Sequence, residues 1–256
     1  AAEQVALMRR SSQHVMKGIT AHIIERPSKE EGVSTGDALS MILGSEAPEM
    51  IITIAGIGMG SSGCETADVS LAIKDADAVF GAARLIENIE KTKKYSMYLA
   101  KDIIPVLESE KPLRPVILYS GDSGFYSGSQ KMIAALKEWN ADVKVNVLPG
   151  ISSISYLSAK LGLTYDDAVL FSLHGKDSDE NLAALVDAIK YNRKVITLMS
   201  GGKDVSKIAE MIKLRGINAN ISAGVNLSYD DEKIITMTPD EALDYNAPGI
   251  VAAFIL

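Results

Sequence analysis

Cysteine, histidine and net positive charge are all scarce in this chain. One of its 256 residues is cysteine, Cys64, and three are histidine. A single thiol excludes a disulfide within the chain and suits a reducing compartment such as the cytoplasm. Cys64 has no metal-ligand or nucleophile–base spacing around it and reads as a small packing residue near a turn. His14 and His22 are isolated and poorly spaced for a shared ligand. A Ser-His-Asp hydrolase would therefore have to be built on His174. No G-x-S-x-G elbow surrounds Ser120, Ser152 or Ser153 to serve it. The His, Asp and Glu spacings do not suit a metal site. No apolar run reaches the ~18 residues of a membrane span, and the N-terminus lacks a signal-peptide apolar core. Lys and Arg number 26 against 33 Asp and Glu, a net charge of −7. That balance disfavours coating of a nucleic-acid backbone but leaves room for a local basic pocket.

What the chain does have is a regular alternation of apolar strands and amphipathic helices from residue 51 onward. The length suits one large or two small domains. Strand "IITIAGI" is followed by a helix over about Glu65–Lys74. Strand "AVFGA", a helix near Ala83–Ile89 and a short strand "YSMYL" come next. A helix near Ile103–Ser109 precedes strand "PVILYS", the turn "GDSGFYSGS" and a helix through Trp139. Strand "VKVNVLPG" leads into a helix capped by serine and stopped at Gly162. Strands alternating with helices imply an α/β fold with a mainly parallel sheet. After the connector "LTYDD", the second half carries strands "AVLFSLHG", "KVITLMSGG", "ANISAGVNL" and "GIVAAFIL", with helices near Asn181–Lys190 and Val205–Leu214. This half has more β-ribbon character. The expected organisation is an α/β domain over residues 50–165 and a second over 166–256, with a ligand cleft between them. Residues 1–49 read differently, as an extension of unknown role, an expression remnant or the tail of a fused domain.

The segment "IITIAGIGMGSSG" invites a dinucleotide reading, because Gly58, Gly60 and Gly63 match the phosphate-binding pattern. That pattern also needs an acidic residue about 20 positions on, at the end of the second strand, to hold the ribose. Ala78–Ala83 contains none, and Asp75 and Asp77 fall at the opposite end of that strand. No Gly-Lys-Ser/Thr follows, so a Walker loop fails too. Alternating glycines after an apolar strand still imply that something large approaches the backbone there, against the alternative of a purely structural turn.

Three further turns lie at strand C-termini, the edge where ligands of open α/β sheets gather. These are "YSGDSGFY" (Tyr119–Tyr126), "LPGISSISY" (Leu148–Tyr156) and "SLHGKD" (Ser172–Asp177). They offer backbone N–H groups and small hydroxyls, and no general acid–base pair. Such a cleft suits a reaction in which a reactive cofactor is held in line with the substrate's own nucleophile. Methyl transfer from a sulfonium is one, since its leaving group departs neutral and alignment supplies much of the acceleration.

The order GIGMG, SGDSGFY, PGISS, SLHGK and PGIVAAFIL resembles that of the tetrapyrrole methylases, the class III S-adenosylmethionine-dependent methyltransferases. The resemblance covers residues 50–256. Within the family, "PGISSISYLSAKLGLTYDDAVLFSLHGK" is most similar to the carbon-5 methyltransferases of cobalamin biosynthesis that act on cobalt-precorrin-7 (precorrin-6Y). The family usually has proline where Met59 and Ser123 stand, and the expected consequence is two looser turns.

The resemblance implies an S-adenosylmethionine cleft between two domains and a tetrapyrrole trough floored by Gly58 and Gly60. It implies that Ser120, Gly121, Asp122 and Phe125 face the methionine end of the donor, with Asp122 alternatively capping the next helix. Ser152 and Ser153 would bond the donor, or act as a plain helix cap. Leu173, His174 and Gly175 would line the cleft, with His174 alternatively a core residue. Met199, Ser200, Asn226 and Leu227 would contact the adenosine. The polycarboxylate substrate needs local cations, for which Arg84, Lys91, Lys93, Lys94, Lys101 and Lys176 are candidates against a solvated-face alternative. Arg84 is preferred because it follows a strand turn and can pair bidentately with a carboxylate. No dedicated general base and no bound metal are expected. A homodimer is implied, and a separate polypeptide for the carbon-15 methylation that related enzymes carry as a fused unit. The rival readings are another methylase of the same fold, acting on uroporphyrinogen, a diphthamide precursor or ribosomal RNA, and a non-catalytic nucleotide-binding protein.

Overall fold

Alternation of apolar residues along the first strands buries both faces of a parallel sheet. In the computed structural model, which describes residues 49–90, 92–173, 179–191, 194–249 and 251–256, this sheet has five strands. They are β1 (Ile51–Gly56), β2 (Ala78–Phe80), β3 (Lys93–Tyr95), β4 (Pro115–Tyr119) and β5 (Lys144–Leu148), in the order β3-β2-β4-β1-β5, all parallel. The intervening helices are α1 (Ala67–Asp75), α2 (Ala83–Ile86), α3 (Ala100–Glu110), α4 (Ser129–Trp139) and α5 (Ser153–Leu161). One face, with Ile52, Ile54, Phe80 and Ile117, packs on Ile103 and Leu107 of α3 and Met132 and Leu136 of α4. The opposite face, with Ala55, Val79, Val116 and Leu118, packs on Val69 of α1 and Leu85 and Ile86 of α2. Period-two side-chain direction makes this division.

The strand order decides where a site can form. β1 lies between β4 and β5, with Gly56 opposite Tyr119 and Ala55 opposite Leu148. Three C-terminal turns therefore leave the sheet side by side, though they are far apart in sequence.

The second sheet contains β6 (Val169–Ser172), β7 (Val195–Met199), β8 (Ile221–Val225), β9 (Lys233–Met237) and β10 (Val251–Ile255), in the order β6-β7-β10-β8-β9. β6 and β7 are parallel and the remaining pairs antiparallel, in keeping with the ribbon character of this half. Helices α6 (Asp179–Tyr191) and α7 (Gly202–Leu214) cover one face through Leu185, Val186, Val205, Ile208 and Ile212, and α8 (Pro239–Ala242) follows β9. The other face presents Ile196, Ala252 and Phe254 to Ile154 and Leu157 of α5. The helix that ends the first sheet's series thus also covers the second sheet.

One element moved relative to expectation. The short strand expected at "YSMYL" is β3 at Lys93–Tyr95. Tyr95 stacks on Phe80, with ring centroids 4.8 Å apart, and this fixes the register beside β2. Tyr98 and Leu99 are exposed, and Leu99 is the N-cap position of α3. No described helix is long and apolar enough to cross a membrane.

Candidate active site

The three turns meet through glycine backbone. Gly58 N–H donates to the Gly121 carbonyl at 3.1 Å, and Gly121 N–H returns a bond to the Gly58 carbonyl. A Cβ on Gly56 would lie 2.5 Å from the Gly121 oxygen and 2.9 Å from Gly150 N. A Cβ on Gly150 would overlap the carbonyl oxygens of both Gly121 and Gly56. The turns after β1, β4 and β5 therefore form one closely stacked floor that excludes side chains.

The same geometry accounts for the first glycine turn without a dinucleotide. Gly58 and Gly60 have φ of +71° and +113°, a region that side-chain-bearing residues rarely adopt. A Cβ on Gly58 would meet the Cys64 carbonyl at 2.5 Å, and one on Gly60 would overlap the Tyr229 hydroxyl. Gly63, the third member of the pattern, has open space around its would-be Cβ. In a dinucleotide fold that glycine permits tight helix–strand packing; here it packs on nothing. At both crowded glycines the approach is by the protein's own chain.

The two turns expected to be loosened by loss of proline are held firmly. Met59 is buried in the cluster that joins the two sheets, with Cys64, Ile154, Leu157, Leu227 and Phe254. Around Ser123, Asp122 Oδ1 accepts from Gly124 N–H at 3.0 Å, and the buried Ser129 hydroxyl donates to the Ser123 carbonyl. Asp122 does not cap α4. The N-cap position is Gly128, and the Ser129 N–H is satisfied by Ser127 Oγ at 3.2 Å.

Beside this turn lies a cleft of about 410 Å³ lined by Ser123, Gly124, Phe125, Tyr126, Ser127, Gln130 and Leu170. Leu170 belongs to β6, so the cleft is bounded by both halves of the chain. Of the residues expected to meet a donor, Phe125 is in this lining. Ser120, Gly121 and Asp122 occupy the same turn outside it. Ser152 is the N-cap of α5, accepting from Ile154 N–H at 3.2 Å, and Ser153 is the first residue of that helix.

In the second half, Leu173, Met199 and Leu227 are buried core side chains. Their backbone groups, at the ends of β6 and β7 and after β8, are the parts nearest to hand for a ligand. Ser200 is exposed, and its N–H donates to Asp204 Oδ2 at 2.8 Å. Asn226 has φ of +49° and its amide donates to Asp231 Oδ2 at 2.7 Å. His174, Gly175, Lys176 and Lys91 lie outside the described residues.

The cations divide by position. Lys93 sits opposite Ala78, at the N-terminal edge of the sheet and away from the turns, where it pairs with Glu110 at 2.6 Å. That pairing, strengthened by hydrogen bonding and opposite charge, raises the lysine's pKa and lowers the glutamate's. Lys94 donates to the Glu87 carbonyl at 2.9 Å, and Lys101 is exposed in the first turn of α3. Among the described candidate cations, Arg84 reaches the glycine turn, with Nη1 3.5 Å from the Tyr229 hydroxyl beside Gly60.

Two features were invisible in the sequence. Tyr229 reaches Arg84 across 145 positions, a contact no local pattern reports. Glu232 anchors the turn between β8 and β9. Burial opposes its ionisation, but the Ser228 N–H, the Tyr156 hydroxyl and the Lys160 ammonium outweigh that and hold its pKa below the usual carboxylate value. The Ser228 N–H lies 2.8 Å away and Lys160 Nζ 3.1 Å away. Tyr156 and Lys160 come from α5, so this cluster ties the β8–β9 turn to the first half. Ser228 Oγ in that turn is buried without a partner among the described residues. Among the described residues no group of three or more His, Cys, Asp or Glu is placed to hold a metal ion.

The family model for Tetrapyrrole (Corrin/Porphyrin) Methylases matches residues 51–243. The chain belongs to this family. A methylase of this fold is a methyl-transferring enzyme, so the rival reading of a non-catalytic nucleotide-binding protein falls. Among its relatives, a protein of Methanocaldococcus jannaschii described as a "Probable cobalt-precorrin-7 C(5)-methyltransferase" is 34% identical over 72% of this chain and 87% of its own. The "Cobalt-precorrin-7 C(5)-methyltransferase" of Salmonella typhimurium is 26% identical over 72% of this chain and 89% of its own. The crystal structure of a precorrin-6Y methylase from Archaeoglobus fulgidus matches 81% of this chain and 97% of its own, with a TM-score of 0.57 at 20% identity. That likeness confirms the two-sheet α/β fold.

Proposed function

We propose that this methylase transfers a methyl group from S-adenosylmethionine to carbon 5 of cobalt-precorrin-7 in cobalamin biosynthesis. The observation that carries the reading is the convergence of the GIGMG, SGDSG and LPGISS turns at one sheet edge, beside a cleft bounded by both halves. The names of the two sequence relatives select the acceptor within the family. When bound, S-adenosylmethionine supplies an electrophilic methyl group whose departure leaves a neutral thioether.

The cleft fits such a donor in size and chemistry. About 410 Å³ is within the range of small-molecule sites. Its lining has hydroxyls and an amide for ribose and amino-acid groups (Ser123, Ser127, Gln130), aromatic surface (Phe125, Tyr126), and no charged side chain. The orphaned Ser228 hydroxyl in the β8–β9 turn is a further polar group on the side expected to meet adenosine.

The protein's contribution to the reaction is alignment and exclusion of water. The stacked glycine floor fixes the first-half turns relative to one another, and the cluster of Met59, Leu157, Leu227 and Phe254 ties them to the second half, so groups on either side of the cleft keep a set separation. No side chain in the cleft lining is a proton acceptor suited to general-base work, and the acceptor carbon derives its nucleophilicity from the macrocycle. Calorimetric titration with S-adenosylmethionine, followed by a methylation assay with cobalt-precorrin-7, tests the reading. Donor binding and a product heavier by one methyl group are expected; tight NADH binding without response to the donor overturns it.

A further inference from the structure

Tyr229 stands at the tip of the β8–β9 turn. Its N–H bonds the Asn226 carbonyl at 3.1 Å and its carbonyl accepts from Glu232 N–H at 3.0 Å. The turn is pinned from below by Glu232, so the tyrosine is presented from a fixed base. Its hydroxyl rests against Gly60, where any side chain would displace it, and lies 3.5 Å from Arg84 Nη1. Both side chains are exposed, and no carboxylate among the described residues pairs with Arg84. An exposed guanidinium beside Gly60, whose one hydrogen bond is the long one to Tyr229, is a receptor for an anion. Because the phenol oxygen accepts from Arg84, its own proton is free to donate. The two groups together present donors only, which suits a carboxylate.

We propose that Tyr229 and Arg84 form a two-donor receptor for a carboxylate side chain of the macrocyclic acceptor, closed over Gly60 from the second half of the chain. This rests on the tetrapyrrole reading above and adds a residue from the donor-side turn to acceptor recognition. The 3.5 Å separation is at the long limit of a hydrogen bond, so little is lost when a carboxylate oxygen draws both donors toward itself. The turn that begins with Asn226 and Leu227, on the donor side, ends by gripping the acceptor.

The test uses the full chain, with uroporphyrin as a carboxylated macrocycle followed by fluorescence, S-adenosylmethionine followed by calorimetry, and the thermal midpoint. Tyr229→Phe keeps the ring and removes one donor. It should weaken uroporphyrin binding roughly three- to tenfold, and Arg84→Gln roughly tenfold or more, the range for hydrogen bonds to a charged group. The double variant should fall short of the product of the two, because the groups act on one carboxylate. Donor affinity and thermal midpoint should stay at wild-type values, and in turnover KM for the acceptor should rise with kcat little changed. Wild-type uroporphyrin affinity in Tyr229→Phe overturns the proposal. So does an equal loss of both ligands with a lowered midpoint, which marks a structural role. If uroporphyrin binding depends on Tyr229 but the wild type transfers no methyl to cobalt-precorrin-7, the receptor stands and the assigned reaction fails.

Discussion

Gly150 and Gly63, from two different glycine turns, are used very differently. Gly150 faces the carbonyl oxygens of Gly56, the last residue of β1, and of Gly121, which is held by its paired bonds to Gly58. Gly150→Ala should therefore destabilise the fold by about 2 kcal/mol or more through overpacking and weaken donor binding as the turns part. Gly63→Ala meets open space at an ordinary φ and should stay within about 0.5 kcal/mol of wild type. Urea denaturation of both variants checks the ranking; equal costs would mean that the three turns do not share one floor. Tyr119, at the end of β4, gives a pH signature. Burial pushes its phenol from 10.0 up to about 12, and the hydroxyl donates to the Tyr98 carbonyl at 3.0 Å. An acid whose folded pKa is raised holds its proton after the unfolded chain has released it. Stability from this group is thus fully present below pH 10 and is lost as pH rises toward 12. Tyr119→Phe should flatten that alkaline limb of the stability profile measured by urea midpoints.

At the scale of elements, periodicity and punctuation made most strands and helices legible. Ser152 and Gly162 bound α5 as a cap and a left-handed stop should, with φ of +64° at the glycine. The exception, β3, failed because its position depends on Tyr95 stacking against Phe80 of another strand, which local sequence does not encode. The turns were harder still. Proline absence at positions 59 and 123 suggested looseness, whereas burial of Met59 and the Asp122–Ser129 bonding hold them. Met59→Ala should accordingly cost about 2 kcal/mol or more, the range for a buried methionine truncated to alanine; a neutral result by urea denaturation would restore the looser picture. The β8–β9 turn has its own titration. The depressed pKa of Glu232 means that its contribution is present above the unfolded value near 4.5 and disappears as pH falls through the folded value. Glu232→Gln should remove that part of the acid limb and weaken S-adenosylmethionine binding, while Lys93→Gln, at the other sheet edge, should leave donor binding unchanged. Calorimetry of the two variants separates a working turn from a decorative ion pair.

For the molecule as a whole, the sequence showed which turns share the C-terminal edge but not which of them touch. That follows from strand order: β1 is flanked by β4 and β5, which are fixed only by pairing between distant segments. The same holds for Tyr229, and for Leu170 in the cleft, since both join the site from the second half. With Met59 and Cys64, α5 joins the halves. By chain order it belongs with the first sheet, yet its buried Leu157 lies against Gly224 of β8, among Ile196 and Phe254 of the second. Leu157→Ala removes the central contact of this cluster and should lower stability by about 2–5 kcal/mol. The sole tryptophan, Trp139 in α4, reports on the first sheet, and amide exchange in β7 and β10 reports on the second. If the cluster makes the two sheets one cooperative unit, both probes should shift to the same lower urea midpoint in Leu157→Ala, and donor affinity should fall as the cleft walls lose their fixed separation. A shift confined to β7 and β10, with Trp139 unmoved, would show that the halves unfold independently and that this cluster does not couple them.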